Sequence, residues 1–277
     1  MVNRVWQHLM GRGIAPSVDN FGVLGQAPTH PELLDHLAAE FVRDGWSLKR
    51  LVRRIVLSST YKQESEASGS GVSPSAIADP QNFLFHCQNM KRLEGEAIRD
   101  AILAVSGGLE ETMHGPSVPV HLTSFMQGRG RPKESGPLDG AGRRSIYVAV
   151  RRNFLSPMML AFDAPIPFST MGRRNVSNVP AQALILMNDS FVTEQARLWS
   201  DKLLADQHAS APDRVRKMYL AAFSRQPTSD EITASLGFIE QQAASYGVLA
   251  EKATTDPRPW ADLAHVLFNV KEFVFVP

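Results

Sequence analysis

The chain has 277 residues, enough for one large domain or two modest ones, and 43% of them are hydrophobic, enough to bury a core. Lys and Arg number 29 against 28 Asp and Glu; the net charge of +1 gives no whole-molecule field toward nucleic acid or an anionic membrane, so any such attraction must be local. The single cysteine, Cys87, excludes an internal disulfide, a Cys-x-x-Cys-His haem attachment and a zinc site needing two thiolates.

No apolar stretch approaches the ~18–20 residues of a membrane span. The opening MVNRVWQHLM lacks the zones of a signal peptide, which leaves a cytoplasmic chain or one with a leader upstream. Thr29-His30-Pro31-Glu32 reads as a capping box, followed by Leu33, Leu34, Leu37, Ala38 and Phe41 at helical spacing up to Gly45. Ser47 caps a second helix with Leu48, Leu51, Val52, Ile55 and Val56 buried and Lys49, Arg50, Arg53 and Arg54 on a solvated face. Residues 64–78 contain ESEASGSGVSPS, too polar to pack, and are expected to be a loop or a sub-boundary. Cys87, in the apolar run FLFHC, reads as a packed small hydrophobe. Asp79-Pro80 is expected to start a helical stretch, and Leu93, Ala97, Ile98, Ala101, Ile102 and Val105 form an amphipathic stripe ending at Gly107-Gly108.

The pattern then changes. SVPVHL (117–122) and SIYVAV (145–150) read as short strands of an antiparallel element, with a Gly/Pro-rich irregular insertion around 123–144 between them. Asn178 is expected to cap a helix through Ala183, Leu184 and Leu186. Further helices follow near Asp213, from the capping box Thr228–Glu231, and from Asp256-Pro257. The fold class is mainly α with a small antiparallel β element (α+β), a multi-helix globular domain spanning 1–277.

Between Arg129 and Arg174 nine basic residues face three acidic ones, a local +6 that leaves about −5 elsewhere: a basic middle in an acidic frame. If Ile146, Val148 and Val150 face the core, then Arg143, Ser145, Tyr147, Ala149, Arg151 and Asn153 share the other face, arginine forks beside an aromatic plate suited to carboxylate, sulfate or phosphate. Arg173, Arg174 and Asn175 stand before a helix start, where amides and dipole favour negative charge. The arginines there hold either an anionic ligand or an internal carboxylate, for which Asp163 is the candidate.

The common hydrolase, phosphate-binding, zinc-protease and dinucleotide motifs are absent. The nearest approach to a metal set is Asp19, His30, Glu32, Asp35 and His36; His30 and Glu32 belong to a helix cap, and no metal or cofactor is expected in this chain.

Six segments in order carry a resemblance over nearly the whole chain: NRVWQHLMGRGIAPSVDNFG, THPELLDHLAAEFVRDGWSLKRLVRRIVLSSTYKQ, RLEGEAIRDAILAVSG, GRRSIYVAVRRN, FDAPIPFSTMGRRNVSNVPAQALILMND and LFNVKEFVFV. The chain resembles the planctomycete domain of unknown function, of PSD type, at the C-terminal end of exported proteins that contain a cytochrome c domain. The resemblance implies an exported or periplasmic setting, a haem domain elsewhere in a parent protein, and a chain that is a fragment or separately encoded piece. It assigns no role to the arginines. Three readings follow: a non-catalytic binding or assembly module that contacts an acidic or sulfated polysaccharide, an acidic protein or an upstream cytochrome-type domain, with no nucleic acid; a polysaccharide hydrolase with Asp163 or Asp19 as acid or base; or a purely structural domain.

Overall fold

The computed structural model describes residues 1–65, 74–168 and 170–276. It is mainly α with one small antiparallel sheet, and the chain gathers into two compact units. Most of the polar stretch expected to be a loop, residues 66–73, lies outside the described residues.

The first unit takes residues 1–92, 170–173 and the C-terminal 275–277. Its helices are α1 (Val2–Met10), α2 (Pro31–Arg43), α3 (Leu48–Val56) and the short α4 (Pro74–Ala78). Trp6, Met10, Ile14, Leu37, Phe41, Ile55 and Phe85 form the core, with Trp6 edge-on to Phe85 at 5.3 Å. The buried Asn3 amide closes a pair of 2.9 Å bonds with the backbone N–H and C=O of Ala15, fixing the chain that leaves α1. Ser47 caps α3 through Arg50 N–H. The basic face of α3 is not left to solvent alone: Arg54 meets Glu40 at 2.7 Å and Asp44 at 3.2 Å on α2, and Arg50 reaches Asp44 at 3.7 Å.

Two local expectations fail here for identifiable reasons. His30, not Thr29, is the N-cap of α2 and makes no side-chain cap bond, because the Thr29 hydroxyl turns to the carbonyl of Ile14 at 3.2 Å, which the Thr29 N–H also reaches at 2.9 Å. Asp79 starts a tight turn rather than a helix: its carboxylate accepts from Phe83 and Leu84 N–H, and Asn82 and Phe85 hold φ of 51° and 55°. Cys87 is half-buried, and burial pushes its thiol pKa up. The sheet is β1 (Lys91–Arg92) against β2 (Phe275–Val276), antiparallel, with Lys91 opposite Val276.

The second unit takes residues 93–169 and 174–274. Its helices are α5 (Gly95–Ser106), α6 (Pro157–Ala161), α7 (Pro180–Asn188), α8 (Ser190–Leu204), α9 (Ala211–Phe223), α10 (Ser229–Ser245), α11 (Pro257–Asn269) and α12 (Lys271–Val274). α8 and α11 pack along each other, with α5 against α8 and α10 against α11. Trp199 stacks on Phe268 at 5.3 Å, and Ile98, Ile102, Val192, Met218, Ile239 and Trp260 are fully buried. The Trp260 indole N–H reaches the carbonyl of Thr254 at 3.0 Å, so the largest buried ring keeps its polar atom paired.

Residues 117–122 and 145–150 do not form the expected antiparallel strands. Ser145–Tyr147 is a 3-10 turn, and Val118 and Val148 share one parallel bridge, with Val118 N–H on the carbonyl of Tyr147 and Ala149 N–H on that of Val118, both at 2.8 Å. Ile146 and Val150 are therefore exposed, while Ser145 takes the inward position.

The capping box at Thr228 and Glu231 is present. Glu231 also shares Arg225 with Glu272, at 2.8 and 2.6 Å, which ties the start of α10 to α12. Hydrogen bonds from Arg225 and from Thr228 N–H lower the Glu231 pKa from an ordinary 4.5 to about 2. A carboxylate depressed in the folded state adds stability that is fully present above its unfolded pKa and is lost as pH falls through the folded one. Glu231→Gln should lower the melting temperature at neutral pH, and the gap to wild type should close between pH 4.5 and about 2 in thermal melts followed by circular dichroism.

Candidate functional site

The site in the second unit is built around Arg99 on α5, which is only 7% exposed. Its Nη1 donates to the carbonyl of Arg143 and the hydroxyl of Ser145, both at 3.0 Å, and faces Asp100 at 3.3 Å; Nη2 donates to the carbonyl of Asp139 at 2.6 Å. Asp100 in turn accepts from Ser145 N–H at 2.8 Å and from its hydroxyl at 2.7 Å. One planar donor fork thus serves the Arg143 carbonyl and joins Gly142 N–H, at 3.1 Å, on the carbonyl of Asp139, in a stretch otherwise held by 3-10 turns and isolated bridges. Burial pulls the Arg99 pKa down, and Asp100 and Asp139 oppose that pull. The local glycines follow from this packing. A Cβ on Gly140, which has φ of 59°, would sit 2.5 Å from Arg99 Nη2, and one on Gly142 would strike the carbonyl of Gly108.

A second arginine closes over the start of the same helix. Arg174 binds Glu96 through both Nη atoms, at 2.7 and 2.9 Å, and lies 3.2 Å from Glu94. Burial pushes the Glu96 pKa up, but the hydrogen bonds from Arg174 and its own backbone N–H hold it below the usual carboxylate range. The bond to Glu96 raises the Arg174 pKa against its own burial. Both carboxylates stand at the positive end of α5, so the dipole and the guanidinium favour the same charge state.

These groups form the polar end of a cavity of about 330 Å³. Its walls are mostly apolar, with Val120, Leu138, Val148, Phe154, Met158 and Phe191 among them, and its charged lining is Glu96, Arg99, Arg174 and Asp189. Two cations and two carboxylates cancel. Asp189 is occupied in capping α8 through Phe191 N–H at 2.9 Å. His121 also lines the cavity. Its Nδ1 lies 3.0 Å from the carbonyl of Gly136, a contact in which Nδ1 is the donor.

Residues 1–239 match the PSD1 family, described as proteins of unknown function (DUF1553). The chain belongs to the PSD1 family. Neither a curated protein nor a solved structure matches it.

Within this PSD1 chain the arginines singled out in the sequence part company. Arg174 joins the cavity. Arg143 lies 4.4 Å from the centre of the Tyr147 ring and donates to the carbonyl of His114 at 2.6 Å, while the Tyr147 hydroxyl accepts from His114 N–H. Arg151 and Asn175 are exposed. Arg173 is exposed and belongs, with residues 170–172, to the first unit.

Asp163 is not the carboxylate that Arg174 holds. It accepts from Ser177 N–H at 2.8 Å and from the Ser177 hydroxyl at 2.8 and 3.0 Å, in a turn where its own φ is 60°. The start of α7 is secured in the same place: Val179 is the N-cap in place of Asn178, without a side-chain bond, and the buried Gln182 amide donates to the carbonyls of Ala161 and Ser177.

Sequence reasoning missed Glu96, Arg99 and Asp100, although their spacing of three and four puts them on one side of α5 beside its apolar stripe.

Arg99→Ala is expected to destabilise the protein by about 3 kcal/mol, the cost of leaving the Arg143 carbonyl without its donor and Asp100 without its cation and of emptying a buried place. Arg99→Lys should recover little of it, since one ammonium cannot span the same acceptors. Arg174→Ala, at a pair about one-third exposed, should cost about 1 kcal/mol or less. Urea unfolding of the three variants checks the order.

Proposed function

We propose that this chain is a non-catalytic binding or assembly module that contacts an anionic partner through the cations outside its cavity. The observation that carries the reading is how the positive charges sort. Arg99 and Arg174 look inward and already face carboxylates, and Arg143 is spent on Tyr147 and His114. By contrast, Arg129, Arg131, Lys133, Arg144, Arg151 and Arg152 are exposed, and among the described residues none of the six is within 4 Å of a carboxylate. Exposed guanidinium groups with no internal acid favour carboxylate or sulfate groups of a partner, such as an acidic or sulfated polysaccharide or an acidic protein surface.

An exported setting, a planctomycete-type parent protein and a haem-bearing neighbour belong to this proposal, supported by the resemblance of the six sequence segments. The hydrolase reading draws less support. Neither acid it names lines the cavity, Asp163 being held by Ser177 and Asp19 belonging to the first unit, and the two carboxylates that do line it, Glu96 and Asp189, are engaged by Arg174 and by Phe191 N–H.

Exposed charge contacts are screened over roughly 10 Å at moderate ionic strength. Titration with dextran sulfate should therefore show affinity falling steadily as salt rises. The Arg151→Ala, Arg152→Ala double variant should bind about tenfold more weakly, a loss of about 1.4 kcal/mol. Arg174→Ala should bind as wild type, since its charge is already engaged. Binding that ignores both salt and the double variant defeats the reading.

A further inference from the structure

We infer that the partner of this face is the surface of an anionic lipid bilayer; the inference rests on the reading of the exposed cations as a site for negative charge and names what carries that charge. Two stretches, residues 124–133 and 144–152, hold six cations and no carboxylate. The same stretches expose their largest apolar side chains: Phe125 is 93% exposed, Ile146 80% and Val150 70%. Phe168, 63% exposed, has the Arg152 guanidinium 5.9 Å from its ring centre.

The two stretches are linked through one small apolar cluster. Met126, next to Phe125, packs against Val120, Leu122 and Phe154, and its carbonyl accepts from Arg131 Nε at 2.8 Å. Phe154 in turn bridges to Arg151, its N–H 3.0 Å from the Arg151 carbonyl. Phe125 and Arg131 on one stretch are thereby tied to Val150, Arg151 and Arg152 on the other. The backbone around Phe125 is not strand or helix, and Gly128 and Gly130 follow it at positive φ, so the ring stands at the end of a turn.

Rings and guanidinium groups interleaved in this way fit one kind of partner better than the rest. A soluble polyanion satisfies the cations and leaves Phe125, Ile146 and Val150 in water. The interface of an anionic bilayer takes both, with phosphate oxygens for the arginines and the acyl boundary for the apolar side chains. Long cationic side chains reach headgroups from the sides of such a patch while the apolar residues enter. No described helix is long and apolar enough to cross a membrane, and the contact inferred here is with the bilayer surface.

The test is co-sedimentation of the full chain with vesicles containing phosphatidylglycerol, with vesicles of phosphatidylcholine alone, and in parallel its binding to dextran sulfate. The expected result is capture by the anionic vesicles and not by the neutral ones. Each arginine removed, as in Arg151→Ala and Arg152→Ala, should weaken vesicle binding about fivefold. The Phe125→Ala, Phe168→Ala pair should weaken vesicle binding several-fold and leave dextran sulfate binding unchanged, and Phe125→Trp should give blue-shifted emission only with anionic vesicles. Circular dichroism confirms that these exposed positions leave the fold intact. Dextran sulfate binding without vesicle binding overturns the bilayer inference and keeps the broader reading. Vesicle binding indifferent to Phe125 and Phe168 also overturns it, because charge alone then accounts for capture. Failure to bind either probe overturns both.

Discussion

The buried Arg99 guanidinium organises the cavity side of the second unit. Residues 139–149 are held by 3-10 turns and isolated bridges rather than by a ladder, and the Arg143 carbonyl would be stranded if the segment packed against an apolar helix face. Arg99 removes that obstacle by donating to the carbonyls of Asp139 and Arg143 and to the hydroxyl of Ser145, while Asp100, one residue along α5, takes the N–H and O–H of Ser145. The need for several donors in fixed directions calls for arginine rather than lysine. It also explains why glycines occupy 140 and 142, where any side chain would invade the space of the fork or of the Gly108 carbonyl.

That arrangement creates two tiers of charge. Inside, the two cations that line the cavity, Arg99 and Arg174, are balanced by two lining carboxylates, Glu96 and Asp189, so the charged lining has no net charge. Outside, residues 124–133 and 144–152 carry exposed cations that, among the described residues, lie within 4 Å of no carboxylate. The basic excess of the middle of the chain is thus mostly a property of its surface. Arginines that look alike in sequence, such as Arg143 and Arg144, do different jobs because the 3-10 turn beginning at Ser145 fixes which one folds back on Tyr147 and which one stays exposed.

Helix starts supply the remaining constraints. Glu94 and Glu96 stand at the start of α5, where the dipole favours them, and Arg174 then uses them to hold the chain just before α7. Asp163 performs a related task, holding Ser177 through backbone and hydroxyl while Gln182 reaches back from the first turn of α7. In the first unit the pairing of Arg54 with Glu40 and Asp44 joins α3 to α2 in the same manner. Charged pairs here connect elements more than they stabilise them, because most are part-exposed and each is worth little in isolation.

The sequence by itself determined the helical class, the centres of the apolar stripes of α2, α3 and α5 (Leu37 and Phe41, Leu51 and Ile55, Ile98 and Ile102) though not their ends at Ala38, Leu48 and Ala97, which are exposed, the Ser47 cap and the Thr228–Glu231 capping box, because these depend on spacing and on partners a few residues away. It also marked the basic middle and the arginine beside α7 as groups in need of a negative counterpart. The tertiary structure alone decided which counterpart. Arg174 meets Glu96, 78 residues earlier, in place of Asp163, and Ser145 turns inward to Arg99, 46 residues earlier, leaving Ile146 and Val150 in solvent where a strand pattern would have buried them. The caps at Thr29 and Asn178 failed for the same reason: the Thr29 hydroxyl is taken by the distant carbonyl of Ile14, and the entry to α7 is held by Asp163 and Gln182. A hydrogen-bonding group chooses among all the partners the fold brings within reach, and a linear pattern shows only the near ones.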